Sequence, residues 1–300
     1  MNKVVILVIV ALTIQLFGYQ QQEHFQITFF DIGQGDSILF KTHDNKIVLI
    51  YTGTNSSLMT KLDNVTYPRK VIDLLIITHF DSDHYGELLD LLNYYQVKKL
   101  ILPVDNKESR TIDSLKLKLI ELGTLVLTPT AGAKIDLGND SSIEFIWPKS
   151  LNQFYSLTSN DASLSFVLKV GHFKALFAGD LSSKYEDLLV EDIGDVDLLK
   201  VSHHGSRYST SDEFISKIKP EISVISVGGN NSYGHPAEIV TKNLESYAPN
   251  TVVDTSKSGQ VTLRVYSNQY SLFTEIPNSL VLEAWISKSD TPNRTTQHVF

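Results

Sequence analysis

The sequence contains no cysteine, and this absence excludes several kinds of site before any motif is considered. Disulfide bonds, thiolate zinc sites, catalytic thiols and a lipid-modified cysteine anchor are all ruled out. Any metal ion must therefore be held by histidine, carboxylate, amide or water ligands.

The sequence also has no excess of positive charge. It has 26 Lys and Arg residues against 34 Asp and Glu residues, which gives a formal net charge of -8. An acidic chain does not attract nucleic acid non-specifically, although a local basic groove could still do so. The apolar content of 42% and charged content of 20% are those of a globular protein. A chain of 300 residues can bury a sizeable core.

The one long apolar run lies at the N-terminus, where Lys3 precedes residues 4–17. This run is short for a membrane span and suits the core of a signal peptide. We expect residues 1–22 to be a signal peptide or an N-terminal anchor, although Phe17-Gly18-Tyr19 is not a small-x-small cleavage site. The predicted location is therefore exported: secreted, periplasmic, or anchored to a membrane through the N-terminus and facing outside. The alternative is a buried N-terminal strand or helix.

From about Gln26 onward, short apolar runs separated by turn residues predict strands, and helical patterns lie between some of them. The strands are predicted at 26–30, 37–41, 47–51, 74–78, 99–102, 125–127, 143–147, 164–170, 173–178, 198–201, 222–227 and 260–265. The best helical patterns are at 87–94, 112–122, 185–190, 211–218 and 238–247. This mixture predicts an α/β (α+β) fold with sheets in the core. We expect one hydrolase domain over residues 24–275 and an irregular C-terminal tail over residues 276–300.

Two segments of the sequence resemble each other. Residues 73–79 (DLLIITH) match residues 197–203 (DLLKVSH), and each segment is an apolar strand followed by a histidine. Such a short match could arise by chance. It is also expected of a fold with two similar halves, each directing a ligand to a shared cleft.

The strongest chemical feature is the run from Thr78 to Gly86, in which His79, Asp81, Asp83 and His84 all follow a predicted strand. Alternation along an extended chain places His79 and Asp81 on one face, and the other two come where the chain turns into a helix. This arrangement suits two adjacent cations. A polar turn that caps the helix is the alternative, and it explains one of these residues.

Three other segments carry weaker signals when each is taken alone. His203 and His204 follow a strand, and they could be a surface pair. Asp180 closes the run Leu176-Phe177-Ala178-Gly179, where a turn residue is common. His235 lies in a loop before a helix.

Taken together and in order, these segments resemble the metallo-β-lactamase superfamily, and most closely the hydrolase domain of ComEC-type competence proteins. The motifs are FDIGQGDS (30–37), HFDSDHYG (79–86), SNDASL (159–164), GDL (179–181), HHGS (203–206) and YGHP (233–236). The resemblance implies a four-layer αβ/βα sandwich of two β-sheets flanked by helices, with the site at one edge. It also points to a free-standing, exported relative of proteins that import DNA.

The resemblance implies two divalent metal ions, Zn²⁺ or Mn²⁺, as cofactors. His79 and Asp81 would hold one ion, Asp83, His84 and His203 the other, and Asp180 would bridge them. Asp83 would also orient the attacking water, and His204 and His235 would contact the phosphate or protonate the leaving group.

Two positions depart from the superfamily pattern. Asn160-Asp161 stands where many relatives have a further histidine, and Tyr51 stands where an aspartate commonly supports the metal loop. These departures predict one weaker ion site and weaker metal binding overall.

The expected function is hydrolysis of a phosphodiester by metal-activated water, with DNA as the first candidate substrate and no obligate protein partner. The alternatives are another hydrolase on the same scaffold (a lactonase, a β-lactamase or an envelope choline-phosphate esterase) and a non-catalytic binding module with a decayed metal site.

Overall fold

Two large β-sheets and the helices on their outer faces form the structure, a computed structural model that describes residues 24–104, 110–190, 193–248, 251–276 and 282–285. The predicted signal or anchor segment, residues 1–22, lies outside this part of the chain. No helix among the described residues has the length and apolar character needed to cross a membrane.

The strands are β1 (Phe25–Phe29), β2 (Ile38–Lys41), β3 (Ile47–Ile50), β4 (Val71–Ile72), β5 (Leu74–Ile76), β6 (Gln96–Val97), β7 (Lys99–Ile101), β8 (Leu125–Leu127), β9 (Lys134–Gly138), β10 (Ser141–Trp147), β11 (Ser165–Val170), β12 (Phe173–Phe177), β13 (Leu198–Lys200), β14 (Ile222–Ile225), β15 (Val252–Asp254), β16 (Val261–Val265), β17 (Gln269–Thr274) and β18 (Leu282–Trp285). The helices are α1 (Ser57–Thr66), α2 (Ser82–Tyr85), α3 (Leu88–Tyr94), α4 (Arg110–Leu122), α5 (Gln153–Ser156), α6 (Ser183–Val190), α7 (Asp212–Ile218), α8 (Glu238–Tyr247) and α9 (Thr255–Ser258), with a 3₁₀ turn at Ser202–Gly205.

Each large sheet is antiparallel in one part and parallel in the other. The first has the order β18-β17-β16-β1-β2-β3-β5-β7-β8, and it is parallel from β3 to β8. The second has the order β15-β14-β13-β12-β11-β10-β9, and it is parallel from β15 to β12. The parallel strands matter for function because loops after their carboxyl ends can converge on one edge.

The main core lies between the two sheets and is rich in aromatic rings. Phe177 of β12 lies 5.3 Å from Phe40 of β2 and 5.0 Å from Phe166 of β11, measured between ring centroids. Alternation along β5 sends Leu74 and Ile76 into this core, whereas Leu75 faces the helices on the outside of the first sheet. A third apolar cluster joins the second sheet to its own helices. The predicted four-layer α/β sandwich is therefore confirmed.

The two similar segments occupy equivalent places in the two sheets. Asp73 precedes β5, and its carboxylate accepts a hydrogen bond of 2.9 Å from the Ile47 N–H at the start of the neighbouring β3. Asp197 precedes β13, and its carboxylate accepts one of 2.6 Å from the Lys174 N–H in the neighbouring β12. The structure thus has the two similar halves that the repeated segment predicted.

The five predicted helical patterns correspond to α3, α4, α6, α7 and α8, whereas several other elements were not predicted. These include α1, β9, β15, and the strands β17 and β18. An irregular tail was expected from residue 276, but β18 pairs with β17, with Leu272 opposite Leu282. The missed strands lie at or next to sheet edges, and whether such a short segment forms a strand depends on a partner strand that its own sequence pattern does not identify.

Candidate metal centre

Three strand ends deliver the central side chains of the site. His79 follows β5, Asp180 follows β12, and His203 follows β13, each three residues beyond the last strand residue. The backbone joins these segments, since His203 N–H donates to the Gly179 carbonyl at 3.2 Å. The parallel strands therefore bring residues that are distant in sequence to one sheet edge.

Asp180 is the meeting point of three imidazole rings. Its Oδ2 lies 3.3 Å from His84 Nε2 and 3.7 Å from the Nε2 atoms of both His79 and His203. His79, His84 and Asp180 are almost completely buried, whereas 31% of the His203 side chain is exposed. The centre is thus closed on one side and open to solvent at His203.

The donor atoms fit a divalent cation. His79 Nε2, His84 Nε2 and Asp180 Oδ1 are buried without a hydrogen-bond partner, a condition that costs about 1–3 kcal/mol per group unless a ligand relieves it. Nitrogen and oxygen ligands lie about 2.0–2.2 Å from Zn²⁺, so two ligands of one ion lie about 3–4 Å apart. The distances around Asp180 match that spacing.

The surroundings of His79 fix which of its nitrogens faces the centre. His79 Nδ1 lies 2.9 Å from Thr78 Oγ1 and 3.2 Å from Ser163 Oγ. Ser163 Oγ also accepts the backbone N–H of Asp180 at 3.1 Å. These contacts occupy Nδ1 and direct Nε2 toward Asp180, which is the arrangement expected of an oriented metal ligand.

Asp83 lies between the centre and His204. Its Oδ1 is 3.8 Å from His84 Nε2, and its Oδ2 is 3.2 Å from His204 Nε2. Asp81, by contrast, is half-buried, and within the described part of the chain its carboxylate forms no hydrogen bond or ion pair with the other predicted ligands. Its charge is one of those that partly oppose the lowering of the His79 pKa by burial and by His84.

The pKa values of the candidate ligands favour metal binding. Burial, and then the nearby His84, lower the pKa of His79 to about 4, so this imidazole is neutral at pH 7. Burial acts to raise the pKa of Asp180, but its interactions with the neighbouring His84 and His79 rings outweigh it and hold this pKa well below its usual range. Neutral imidazole and ionised carboxylate are the forms that bind metals.

His204 is placed differently from the role expected for it. The ring is 1% exposed, Nδ1 lies 2.8 Å from the Ser226 carbonyl, and Nε2 contacts Asp83. Burial lowers the pKa of His204, but the carboxylates of Asp36 and Asp83 raise it to about 9. Direct contact with a substrate phosphate does not fit this burial, and the geometry supports a role in holding Asp83.

His235 lies on the open side of the centre. Its ring centroid is 5.8 Å from that of His203, and the ring is half-buried. Burial, and then the nearby His203 and His204, lower the pKa of His235. The Asn231 side chain fixes this loop by donating to the Gly228 and His235 carbonyls and accepting the His235 N–H.

The histidine pair has unusual backbone geometry. His203 and His204 have φ angles of +50° and +52°, in the left-handed region that side chains other than glycine rarely adopt. Such residues cost on the order of 1–3 kcal/mol each and cluster at functional sites. The left-handed turn sends the two rings in different directions, His203 toward Asp180 and His204 toward Asp83.

Sequence reasoning missed two charged residues in this region. Asp36 joins His84, Asp180 and His204 in a buried group whose ligand atoms all lie within 4.8 Å of one another. Lys200 is completely buried beside Asp36. A single lysine within the apolar strand Leu198–Lys200 was the available signal for a buried charge pair.

Tyr51, which was expected to weaken metal binding, is buried beside the metal centre. Its ring contacts His84 edge-on at 4.6 Å, and its hydroxyl lies 3.2 Å from Thr78 Oγ1. The prediction that this residue weakens metal binding stays a prediction.

The family model for the metallo-beta-lactamase superfamily matches residues 30–229, and the chain belongs to this superfamily. Membership implies a metal-dependent hydrolase in general terms, and the Asp and His residues gathered around Asp180 form a possible metal site.

Two curated relatives show which members of the superfamily the chain resembles. The chain is 29% identical over 276 residues to ComE operon protein 3 of Bacillus subtilis (strain 168), which covers 84% of this chain and 34% of that protein. It is 26% identical over 273 residues to Recombination protein 2 of Haemophilus influenzae (strain ATCC 51907 / DSM 11121 / KW20 / Rd), which covers 89% of this chain and 32% of that protein. The chain thus spans about a third of the length of these relatives. The predicted resemblance to ComEC-type competence proteins is confirmed.

Among solved structures, CmlA, a diiron beta-hydroxylase from Streptomyces venezuelae, shares the fold. The match has a TM-score of 0.56 and 16% sequence identity, and it covers 81% of this chain and 54% of that one. At this identity the likeness concerns the fold alone.

Proposed function

We propose that the protein is a metal-dependent phosphodiesterase that cleaves DNA. The observation that carries this proposal is the convergence of three imidazole Nε2 atoms on Asp180 at 3.3–3.7 Å, in a member of a hydrolase superfamily. The similarity to ComEC-type proteins, and to a relative named Recombination protein 2, supports DNA as the substrate.

In this proposal, His79 and Asp81 would hold one ion, Asp83, His84 and His203 would hold the other, and Asp180 would contribute to both. When bound, two divalent ions such as Zn²⁺ or Mn²⁺ activate water and polarise the phosphodiester. The site fits this chemistry because its imidazoles and carboxylates are oriented by contacts within the protein.

Asp83, His204 and His235 have separate roles toward the attacking water and the leaving group. His204 holds Asp83 through the contact of 3.2 Å, and Asp83 then orients the attacking water. As water adds to phosphorus it releases one proton to solvent, and as the bond to the leaving oxygen breaks that oxygen takes up one proton. His235 is on the open side, next to His203, and is the group placed to contact the phosphate. Because burial and the nearby His203 and His204 lower the pKa of His235, it would supply the proton in its charged form, which is favoured at acidic pH.

An exposed aromatic ring beside the centre supports the proposal that the substrate is a nucleic acid. Tyr233 is 70% exposed, and its ring stacks on His235 with an interplanar angle of 16° and a centroid distance of 5.9 Å. Exposed aromatic rings next to a phosphate site provide platforms on which bases of a single strand can stack. Since the net charge is -8, local contacts of this kind must contribute to DNA binding.

The test is a hydrolysis screen of the full-length chain with Mn²⁺ and with Zn²⁺. The substrates are bis-para-nitrophenyl phosphate, single- and double-stranded DNA, a lactone and a β-lactam. Phosphodiester cleavage should require metal, disappear in Asp180→Asn, and weaken on DNA as salt rises. Intact DNA under every metal, together with turnover of the lactone or lactam, would refute the proposed function.

Export belongs to the same proposal, because residues 1–22 have the pattern of a signal peptide or anchor. Cell fractionation, with mass determination of the mature N-terminus, tests it. Retention of the unprocessed protein in the cytoplasmic fraction would contradict export.

A further inference from the structure

We infer that Asp36 and Lys200 form a buried ion pair that positions His84 and His204 from the Nδ1 side of both rings, without binding the metal ions. This inference rests on the proposed metal centre. It assigns Asp36 and Lys200 as positioning residues, and neither touches the substrate.

The pair is buried completely. Both side chains are 0% exposed, and Lys200 Nζ lies 2.5 Å from Asp36 Oδ2. Lys200 ends β13, three residues before His203, and Asp36 lies in the loop before β2, two residues from its first residue, Ile38. Since an unpaired charge is strongly unfavourable in the protein interior, each of these residues requires the other.

Asp36 faces the outer nitrogens of two histidines of the site. Its Oδ2 lies 3.6 Å from His84 Nδ1, and its Oδ1 lies 3.7 Å from His204 Nδ1. His84 presents Nε2 to Asp180, so Nδ1 is the nitrogen that points away from the centre. At these distances the contacts are electrostatic and are not hydrogen bonds, since Asp36 Oδ1, Asp36 Oδ2 and His84 Nδ1 have no hydrogen-bond partner among the described residues. A negative charge on this side still favours the ring orientation and tautomer that carry the proton on Nδ1 and leave Nε2 free for the metal.

Direct ligation by Asp36 is the competing explanation, because Asp36 belongs to the compact group of ligand atoms. Three features oppose it. The centre is formed by Nε2 atoms, whereas Asp36 lies on the Nδ1 side of both rings. The Lys200 ammonium contacts Asp36 Oδ2 and would repel a cation bound there. His204 Nδ1 already lies 2.8 Å from the Ser226 carbonyl.

The backbone reinforces this position. The Asp36 N–H donates to the Asp83 carbonyl at 3.2 Å. Gly35, with φ +119°, comes so close that a Cβ added there would lie 2.6 Å from the same carbonyl oxygen. The Asp36 loop is therefore fitted against the metal-binding loop, and its carboxylate has a fixed place behind His84.

The test is calorimetric titration of the metal-free full-length protein with Zn²⁺ and Mn²⁺. Asp36→Asn should keep two metal equivalents and bind them about 10- to 100-fold more weakly, because the favoured ring orientation and tautomer are lost. The absorption spectrum of the Co²⁺-loaded protein should show that the coordination number is unchanged. Asp44→Asn removes an exposed carboxylate, 2.8 Å from Lys46, and is the matched control that should alter neither readout.

A single replacement leaves one charge buried without its partner and can prevent folding. The double variant Asp36→Asn/Lys200→Met removes both charges, keeps the side-chain sizes similar, and should show the same loss of metal affinity. Loss of one metal equivalent would overturn the inference by making Asp36 a ligand. Unchanged affinity in a folded variant would overturn it by making the pair merely structural. If the unaltered protein binds no divalent ion, both this inference and the proposed function fail. If it binds two ions and the variants match it, only this inference fails.

Discussion

Replacement of Asp197 by asparagine should stabilise the protein at neutral pH, although this carboxylate accepts a short hydrogen bond. Burial raises the pKa of Asp197 to about 6, and the charge of Glu221 adds to this effect, whereas the hydrogen bond from the Lys174 N–H opposes it. The folded state therefore holds the proton of Asp197 more tightly than the unfolded state does.

The sign and size of the effect follow from linkage between protonation and folding. The ordinary pKa is 3.8, so folding raises it by about 2 units, which corresponds to on the order of 3 kcal/mol. Stability from the protonated carboxyl is fully present below pH 4 and is lost as the pH rises through 6. Asparagine has no charge to bury, and its carbonyl oxygen can still accept the Lys174 N–H.

The assay is urea unfolding of the full-length protein and the variant between pH 3 and pH 8. A chelator keeps metal binding from contributing. The free energy of unfolding of Asp197→Asn, relative to the unaltered protein, should rise by up to about 3 kcal/mol between pH 4 and pH 7.

Asp73, the equivalent residue of the first half, is the matched control. Its carboxylate accepts the Ile47 N–H and pairs with Arg69 and Lys98, both at 2.8 Å. Burial acts to raise the pKa of Asp73, but these contacts lower it overall. The stability that the ionised Asp73 carboxylate contributes to the fold is present above pH 4 and is lost as the pH falls through the lowered pKa. Asp73→Asn should therefore lose about 1 kcal/mol at pH 7. A flat pH difference for Asp197→Asn, or the same sign for both variants, would refute the reasoning.

Three further predictions concern the candidate site. His84→Ala should lose bound metal and nearly all hydrolysis while keeping its fold, as measured by elemental analysis, turnover and circular dichroism. His24→Ala, at the opposite end of β1 from the Asp36 loop, should change neither readout, and retained metal in His84→Ala would remove this residue from the ligand set. In calorimetry, the two ion sites should fill unequally, and Mn²⁺ should activate hydrolysis more than Zn²⁺. Asn160→His should tighten metal binding at the weaker site, because imidazole binds Zn²⁺ well. Two equal tight sites in the unaltered protein would contradict this prediction. Tyr233→Ala should raise the KM for single-stranded DNA about tenfold, and by more than the KM for bis-para-nitrophenyl phosphate. Tyr94 is a similarly exposed tyrosine at the C-terminal end of α3, and Tyr94→Ala should leave the KM for single-stranded DNA unchanged. Equal increases of KM for both substrates in Tyr233→Ala would argue against base stacking.

The sequence alone determined the kinds of residue in the site and the local segments that carry them. The run from His79 to His84 could be interpreted because strand alternation and the following turn are local properties. The repeated segment likewise predicted two equivalent strands, each ending near a histidine. The motifs that resemble ComEC-type proteins gave the fold, because their order along the chain is itself a strong constraint.

Only the tertiary structure decided which of these groups meet. Asp180 contacts histidines from two separate segments, His79 and His84 from one and His203 from the other, and this depends on the parallel pairing of β12 with β13 and on the packing of the two sheets. The burial of His204, which changes its expected role, and the pairing of Asp36 with Lys200 have the same origin. A side chain's environment is set by partners far away in sequence. Local patterns fix which atoms are available, and long-range packing fixes which atoms they face.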